Sequence, residues 1–172
     1  MVQGVAHNLG FGKSILNNES FIKGDYSTAF IPDYYPDGYF GDVLDNEQMK
    51  VVALAAHQLK NVFIGYNGTQ SSDERVVYVT VVGQNADMPD YDWKVERSAA
   101  DASKFTITNI ESNESTVVDL SSFDYEHNSL IKMQADGAIG QQTFQLLSSD
   151  NDIKFDFYFE GGKVETRVYD EA

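Results

Sequence analysis

The chain has 172 residues and no cysteine, and its 27 acidic residues outnumber its 12 basic residues to give a net charge of −15. This length fits one ordinary domain with its own core. The excess of acidic residues argues against nucleic-acid partners, because it would repel a phosphate backbone. The lack of cysteine excludes disulfides, thiolate metal sites and thiol nucleophiles. No apolar run approaches the roughly 20 residues of a membrane span, so we expect a soluble protein of a reducing compartment without a membrane partner.

The first block of the chain, residues 1–41, is mixed in pattern and poor in apolar residues. Its sequence predicts a short helix over Asn8–Leu16, a turn at Phe21–Asp25 and an extended stretch over Thr28–Ile31. Such a block cannot hold a core alone. We therefore expect an appendage that is partly mobile or packed on the exterior of a larger unit.

This block ends in an aromatic turn, Tyr34–Gly41, which reads YYPDGYFG. Pro36, Asp37 and Gly38 are residues that turns favour. The rings of Tyr34, Tyr35, Tyr39 and Phe40 are compatible with three roles, namely sealing a domain junction, gripping a sugar or flat ligand, or closing over a core.

The second block predicts a long helix over about residues 45–64. Asp45 and Gln48 match a capping box, Glu47 suits the first turn, and Gly65 can end the helix. The apolar residues between these signals cover nearly the whole helix circumference. A helix that is apolar on all sides is buried on all sides.

The third block, from about residue 75, alternates apolar and polar residues in the manner of half-buried strands. Turn signals at Asp136-Gly137 and Glu160–Gly162 separate some of the strands. The predicted strands are Arg75–Val82, Tyr91–Glu96, Lys104–Ile110, Thr116–Leu120, Ser129–Ala135, Gln141–Leu147, Ile153–Glu160 and Lys163–Tyr169.

Together these blocks predict an α+β, mainly β fold. It is an eight-stranded antiparallel barrel wrapped around one long central helix, with a short N-terminal helical and extended appendage. The alternative from another class is a free-standing, lipocalin-like barrel for a small hydrophobic ligand, which requires a hollow interior.

The common catalytic and metal-binding motifs are missing from the sequence. His7, His57 and His127 lie in different blocks, and His57 is expected to be packed in the helix or at its rim. Gly161-Gly162 is explained by a hairpin, and no phosphate-binding glycine pattern or nucleophile elbow occurs. We expect no active site and no bound cofactor or metal in this chain, which fits a binding or scaffolding domain; an enzyme acting alone is the third reading.

Three stretches of the first block resemble a known family. GVAHN at residues 4–8, NESFIKGDYSTAFI at residues 18–31 and YPDGYFG at residues 35–41 are similar to the end of the biotin carboxylase domain in propionyl-CoA carboxylase α subunits. The resemblance implies that residues 1–41 are the remnant of that domain. It further implies that residues 42–172 form the BT domain, which mediates contact between biotin carboxylase and carboxyltransferase.

In this family the loop between helix and barrel is a hook that reaches the carboxyltransferase subunit. By position, the hook corresponds to residues 65–74, between a helix at about 45–64 and a barrel at about 75–170. Its predicted interface residues are Tyr66, Asn67, Gly68, Thr69, Gln70, Ser71, Ser72 and Asp73.

The family resemblance also implies the activity of a parent enzyme. That enzyme uses ATP and bicarbonate, with Mg or Mn, to carboxylate biotin, and transfers the carboxyl group to propionyl-CoA. The implied partners are the carboxyltransferase β subunit and the parent's own biotin carboxylase and biotin carrier domains. We expect an excised or naturally separate middle piece, from the bacterial cytoplasm in preference to the mitochondrial matrix. The equivalent domain of methylcrotonyl-CoA carboxylase is the nearest alternative, and the YPDG signature favours the propionyl enzyme.

Overall fold

The computed structural model describes residues 8–39, 41, 43–66, 75–84, 87–126, 129–137, 139–150 and 153–170, without the side chains of residues 64–66. Four helices precede eight strands. The helices are α1 (Leu9–Asn17), α2 (Glu19–Lys23), α3 (Phe30–Tyr34) and α4 (Asn46–Tyr66). The strands are β1 (Val76–Val81), β2 (Tyr91–Arg97), β3 (Lys104–Asn109), β4 (Ser115–Tyr125), β5 (Leu130–Ala135), β6 (Gln141–Asp150), β7 (Lys154–Phe159) and β8 (Gly162–Tyr169).

Helix α4 begins at the predicted capping box. The backbone N–H of Gln48 donates to Asp45 Oδ1 at 2.8 Å, and the backbone N–H of Asp45 donates to Gln48 Oε1 at 2.9 Å. The two residues thus satisfy each other's otherwise unpaired donors. The helix runs two residues past its predicted end, because Gly65 lies within it and does not terminate it.

The middle of α4 is enclosed on every side. The seven consecutive residues from Val51 to His57 are each no more than 2% exposed. Successive helix residues point about 100° apart, so seven of them cover the full circumference. The six apolar residues from Val51 to Ala56 belong to one core cluster with inward-facing residues of the strands, among them Val79, Ile107 and Phe144.

The eight strands form a closed antiparallel barrel in sequence order, which β1 and β8 complete by pairing with each other. The predicted meander around a central helix is therefore confirmed. Strand β4 is longer than the predicted Thr116–Leu120, because a bulge between Leu120 and Ser122 shifts the alternation. Beyond the bulge it is Phe123 and Tyr125 that pack against the core. A second bulge, between Leu146 and Ser148, likewise lengthens β6.

Different elements of the chain lie at the two open ends, or mouths, of the barrel. We call the mouth where α4 begins the proximal mouth; the β7–β8 hairpin, closed at Glu160 and Gly161, lies at that end. We call the mouth where α4 ends the distal mouth. There Lys60, only 2% exposed, pairs with Asp170 just after β8, and Phe63 packs against Tyr125 and Phe155.

The first block is helical throughout most of its described length. The predicted helix over Asn8–Leu16 is confirmed as α1, but the predicted extended stretch over Thr28–Ile31 is wrong. Ser27 starts a turn there: its side-chain oxygen accepts from the backbone N–H of Ala29, and its carbonyl accepts from that of Phe30. Phe30 then opens α3, with its ring buried among other aromatic rings of the block.

We expect the substitution Ala55→Leu to destabilise the fold. Ala55 has no exposed surface, and forcing a larger side chain into a filled core costs about 1–3 kcal/mol. Leucine is nearly as good a helix former as alanine, so the loss reports on space inside the barrel. Chemical denaturation measures it, with Ala100→Leu, in an exposed loop, as the control. Unchanged or increased stability of the α4 variant would indicate the spare interior volume that a ligand-binding barrel needs.

Candidate functional site at the aromatic seam

An aromatic cluster joins the N-terminal helices to one another and to the chain that leads into α4. Tyr35 lies at its centre, edge-on to Phe11 at 5.0 Å between ring centroids and to Tyr39 at 6.3 Å. Phe11 and Tyr39 stack at 5.4 Å. The Tyr35 hydroxyl also hydrogen-bonds Ser14 Oγ at 2.8 Å. These contacts fix α1 against the aromatic turn.

The four rings of that turn have different surroundings. Tyr35 and Tyr39 pack inside the cluster, whereas Tyr34 is exposed and pairs through its hydroxyl with Ser20 Oγ at 2.6 Å. Phe40 lies outside the described residues. The described packing supports the reading in which these rings are structural.

Glycine backbones bring this cluster against the barrel. A Cβ atom on Gly10 would lie 2.4 Å from the carbonyl oxygen of Gly161, and one on Gly41 would lie 2.7 Å from the Cα of Gly162. Real Cβ atoms do not approach other atoms so closely, so only glycine fits at both positions. We call this contact between residues 8–41 and the β7–β8 hairpin the seam.

The hairpin itself depends on an unusual turn. Glu160 and Gly161 have φ values of 49° and 81°, as in the two-residue turns that match the right-handed twist of antiparallel strands. The predicted hairpin at Glu160–Gly162 is confirmed. Its tip presents bare backbone to α1, which is what allows the close approach.

A cleft of about 750 Å³ follows the seam on the outside of the barrel. Rings of Phe11, Tyr35 and Tyr39 line one side, and outward residues of β7 and β8 line the other. The cleft is thus an inter-element groove, distinct from the interior space in which a lipocalin holds its ligand. Its lining offers packing surface and exposed backbone, with Lys163 and Glu165 as its charged side chains.

A smaller polar cavity of about 390 Å³ lies at the proximal mouth. Lys50 lines it and donates hydrogen bonds to Glu47 and Thr116 at 2.7 and 3.0 Å. Trp93 also lines it, and its buried indole nitrogen has no hydrogen-bond partner among the described residues. Most of the cavity's polar groups are therefore already engaged within the fold.

The predicted hook lies almost wholly outside the described residues. Tyr66 is the last residue of α4, and residues 67–73 are not described. The hook assignment, and the division of the chain at residues 41 and 42, stay predictions.

His57 is the one histidine among the described residues. His57 is fully buried in α4, with its ring edge-on to Phe105 at 5.4 Å and its Nδ1 at 3.3 Å from Gln58 Oε1. It is packed, as predicted, whereas His7 and His127 lie outside the described residues. Within the described ranges, no three His, Asp or Glu side chains group closely enough to hold a metal ion.

The N-terminal block keeps an apolar surface turned to solvent. Among the residues described from 8 to 43, only Phe30 is buried, and it is 7% exposed. Large side chains are exposed on all three short helices and on the chain that follows them. These are Leu9, Leu16, Ile22, Tyr26, Ile31, Tyr34 and Val43. So dense an apolar surface on a short segment is typical of a protein contact.

The fold and the seam define a helix-filled antiparallel barrel that carries a docked helical segment. None of the described helices has the length and apolar character to cross a membrane. No protein-family profile matches the chain.

The chain is similar in sequence to propionyl-CoA carboxylase α chains, so the predicted resemblance is confirmed. It is 35% identical over 94 residues to the propionyl-CoA carboxylase α chain of Ruegeria pomeroyi, a match that covers 51% of this chain and 14% of the relative. It is 39% identical over 57 residues to the human mitochondrial protein, covering 33% of this chain and 8% of the relative. The match to the Caenorhabditis briggsae protein is 33% over 79 residues, covering 42% and 11%. The matched region is a small part of each relative.

We expect Gly10→Ala to loosen the seam without unfolding the barrel. The added methyl group collides with the Gly161 carbonyl, so α1 must move away. Hydrogen exchange of residues 8–39 should accelerate, while the unfolding midpoint of the barrel changes little. Gly12→Ala is a matched control in the same helix: its Cβ meets nothing within 4 Å, and alanine favours a helix by up to about 1 kcal/mol. Equal protection of α1 in both variants would contradict the close backbone contact.

Proposed function

We propose that this chain is a noncatalytic assembly domain of a biotin-dependent propionyl-CoA carboxylase α chain. In this proposal it holds the biotin carboxylase part of the enzyme in contact with the carboxyltransferase β subunit. The parent enzyme carboxylates biotin with ATP and bicarbonate and transfers the carboxyl group to propionyl-CoA. The similarity to propionyl-CoA carboxylase α chains supports the proposal.

The proposal depends on the distance between two attachment points, the seam and the predicted hook. The helix α4, enclosed in the barrel, lies between them. The seam lies at the proximal mouth, whereas α4 ends and β1 begins at the distal mouth, so the predicted hook between them is attached there. Helix α4 has 21 residues and so spans about 30 Å. Because the barrel encloses it, the helix holds the two attachment points at a fixed distance.

The exposed apolar residues of the N-terminal block provide the surface for the first attachment. Under the proposal they pack against the biotin carboxylase domain, of which residues 1–41 are the C-terminal part. The second attachment is the hook, Tyr66–Asp73, which reaches the carboxyltransferase subunit. Joining both catalytic sites in one particle makes the transfer of the carrier-bound carboxyl group effectively intramolecular.

The cofactors of such an enzyme belong to parts other than this chain. No lysine here has methionine on both sides, as the biotin-bearing motif requires, and the described residues hold no cluster for Mg or Mn. We therefore assign no chemical step to the described residues. We propose a cytoplasmic location, with the mitochondrial matrix as the eukaryotic equivalent.

The alternative readings receive less support. A lipocalin-like barrel needs a hollow interior, whereas α4 fills this one. The relatives named above favour the propionyl enzyme over methylcrotonyl-CoA carboxylase.

The proposal is tested by sedimentation velocity with the purified cognate carboxyltransferase subunit. We expect a complex at micromolar concentrations, and we expect it to disappear when residues 67–73 are replaced by a glycine-serine linker of equal length. Circular dichroism and thermal unfolding verify that the linker variant keeps its barrel. The absence of any complex even at high micromolar concentration would contradict the assembly function, and an undiminished complex with the linker variant would remove the hook from it.

A further inference from the structure

Basic residues concentrate on one side of this acidic barrel. The chain has 12 Lys and Arg residues against 27 Asp and Glu. Five of those basic residues lie in four adjoining strands, β7, β8, β1 and β2, and Arg75 directly precedes β1. The five are Lys94, Arg97, Lys154, Lys163 and Arg167.

The outer face of these strands has an aromatic centre. Val77 and Val79 of β1 point into the core, so Tyr78 between them points outward. It lies opposite Tyr169 of β8 in the register, and Tyr169 is 44% exposed.

Basic side chains border this centre. Lys94 of β2 lies opposite Tyr78 on its other side, and Arg167 is the next outward residue before Tyr169 along β8. We call Tyr78, Lys94, Arg167 and Tyr169 the tyrosine patch. Tyrosine and arginine are the residue types that protein interfaces favour at their centres.

The charges of the tyrosine patch are only lightly engaged within the fold. Lys94 Nζ bonds Glu96 at 3.0 Å, and this hydrogen bond raises the pKa of Lys94, which therefore stays protonated. Arg167 Nε lies 3.7 Å from Glu165 Oε1, with about half of the Arg167 side chain exposed. Exposed ion pairs of this kind contribute little to folding stability, so both cations remain available to a partner.

The position of the tyrosine patch links it to the predicted hook. Residues 67–74 connect the end of α4 to Arg75, and Tyr78 follows three residues later. Tyr169 lies one residue before Asp170, which pairs with Lys60 of α4 at the distal mouth. A partner bound to the hook therefore lies next to the tyrosine patch.

We propose that the tyrosine patch is a second docking surface for the carboxyltransferase subunit, beside the hook. This inference rests on the assembly function proposed above. The complementary surface on the partner has an apolar centre bordered by Asp and Glu side chains. A second copy of this chain is a poorer occupant, because two copies with a net charge of −15 each repel one another.

The test compares two charge reversals that alter net charge equally. Arg167→Glu lies in the tyrosine patch, and Lys104→Glu lies at the start of β3, outside it. Each replaces a half-exposed cation that has a carboxylate 3.7 Å away. Affinity for the purified carboxyltransferase subunit is measured by titration at low and physiological salt. Tyr169→Ala and Val117→Ala, both at exposed strand positions, form a second matched pair.

We expect Arg167→Glu to weaken binding about tenfold and to reduce its salt dependence, and Tyr169→Ala to weaken it several-fold. Neither control should change affinity by more than about twofold. If the unaltered chain binds the carboxyltransferase subunit and all four variants bind it with the same affinity, the tyrosine patch is not a docking surface, while the assembly function stands. If the unaltered chain does not bind, both proposals fail. If Arg167→Glu changes only self-association, the surface is a contact between copies and the inference is overturned.

Discussion

The structure depends on one constraint, which is that the middle of α4 has no face suited to water. A helix of this kind is stable only when other apolar surface surrounds it, and eight half-buried strands supply that surface from all directions. The requirement is mutual, because the barrel has no other filling for its middle. Small residues at Ala53, Ala55 and Ala56 let the strands close tightly around the helix backbone. Removing the helix would therefore expose the apolar inner face of the barrel, and removing the strands would expose the apolar surface of the helix.

Because the barrel encloses the helix, its interior has no room for a ligand. With the interior filled, the parts of the molecule that remain for interaction are the outer faces and the two mouths. The proximal mouth carries a segment held by aromatic rings and by direct contact between glycine backbones. The distal mouth carries the loop and the outward tyrosines next to it.

Much of this architecture could be predicted from the sequence because its signals are local and repeated. The capping box at Asp45 and Gln48 and the alternation along β7 each depend on residues a few positions apart. The two bulges were not predicted, because an extra residue such as Ser121 breaks the period-two alternation, and beyond it the positions that face inward are reversed. The misassigned stretch at Thr28–Ile31 has a related cause: Phe30 is buried by rings from other parts of the block, and this tertiary contact overrides its preference for a strand. The seam was the hardest feature to predict. A glycine inside α1 hints at a close approach, but only the folded chain brings Gly161 to face Gly10.

The pairing of β1 with β8 has a consequence for the order of folding. Tyr78 and Tyr169 stand at nearly opposite ends of the barrel sequence, so the ring of strands cannot close until almost the whole domain has left the ribosome. Contacts between such distant residues also form slowly. Helix α4 is made before any strand and has nothing to bury against until then. During synthesis this helix therefore stays exposed until the strands surround it, which makes this domain a natural client for chaperones that bind apolar segments.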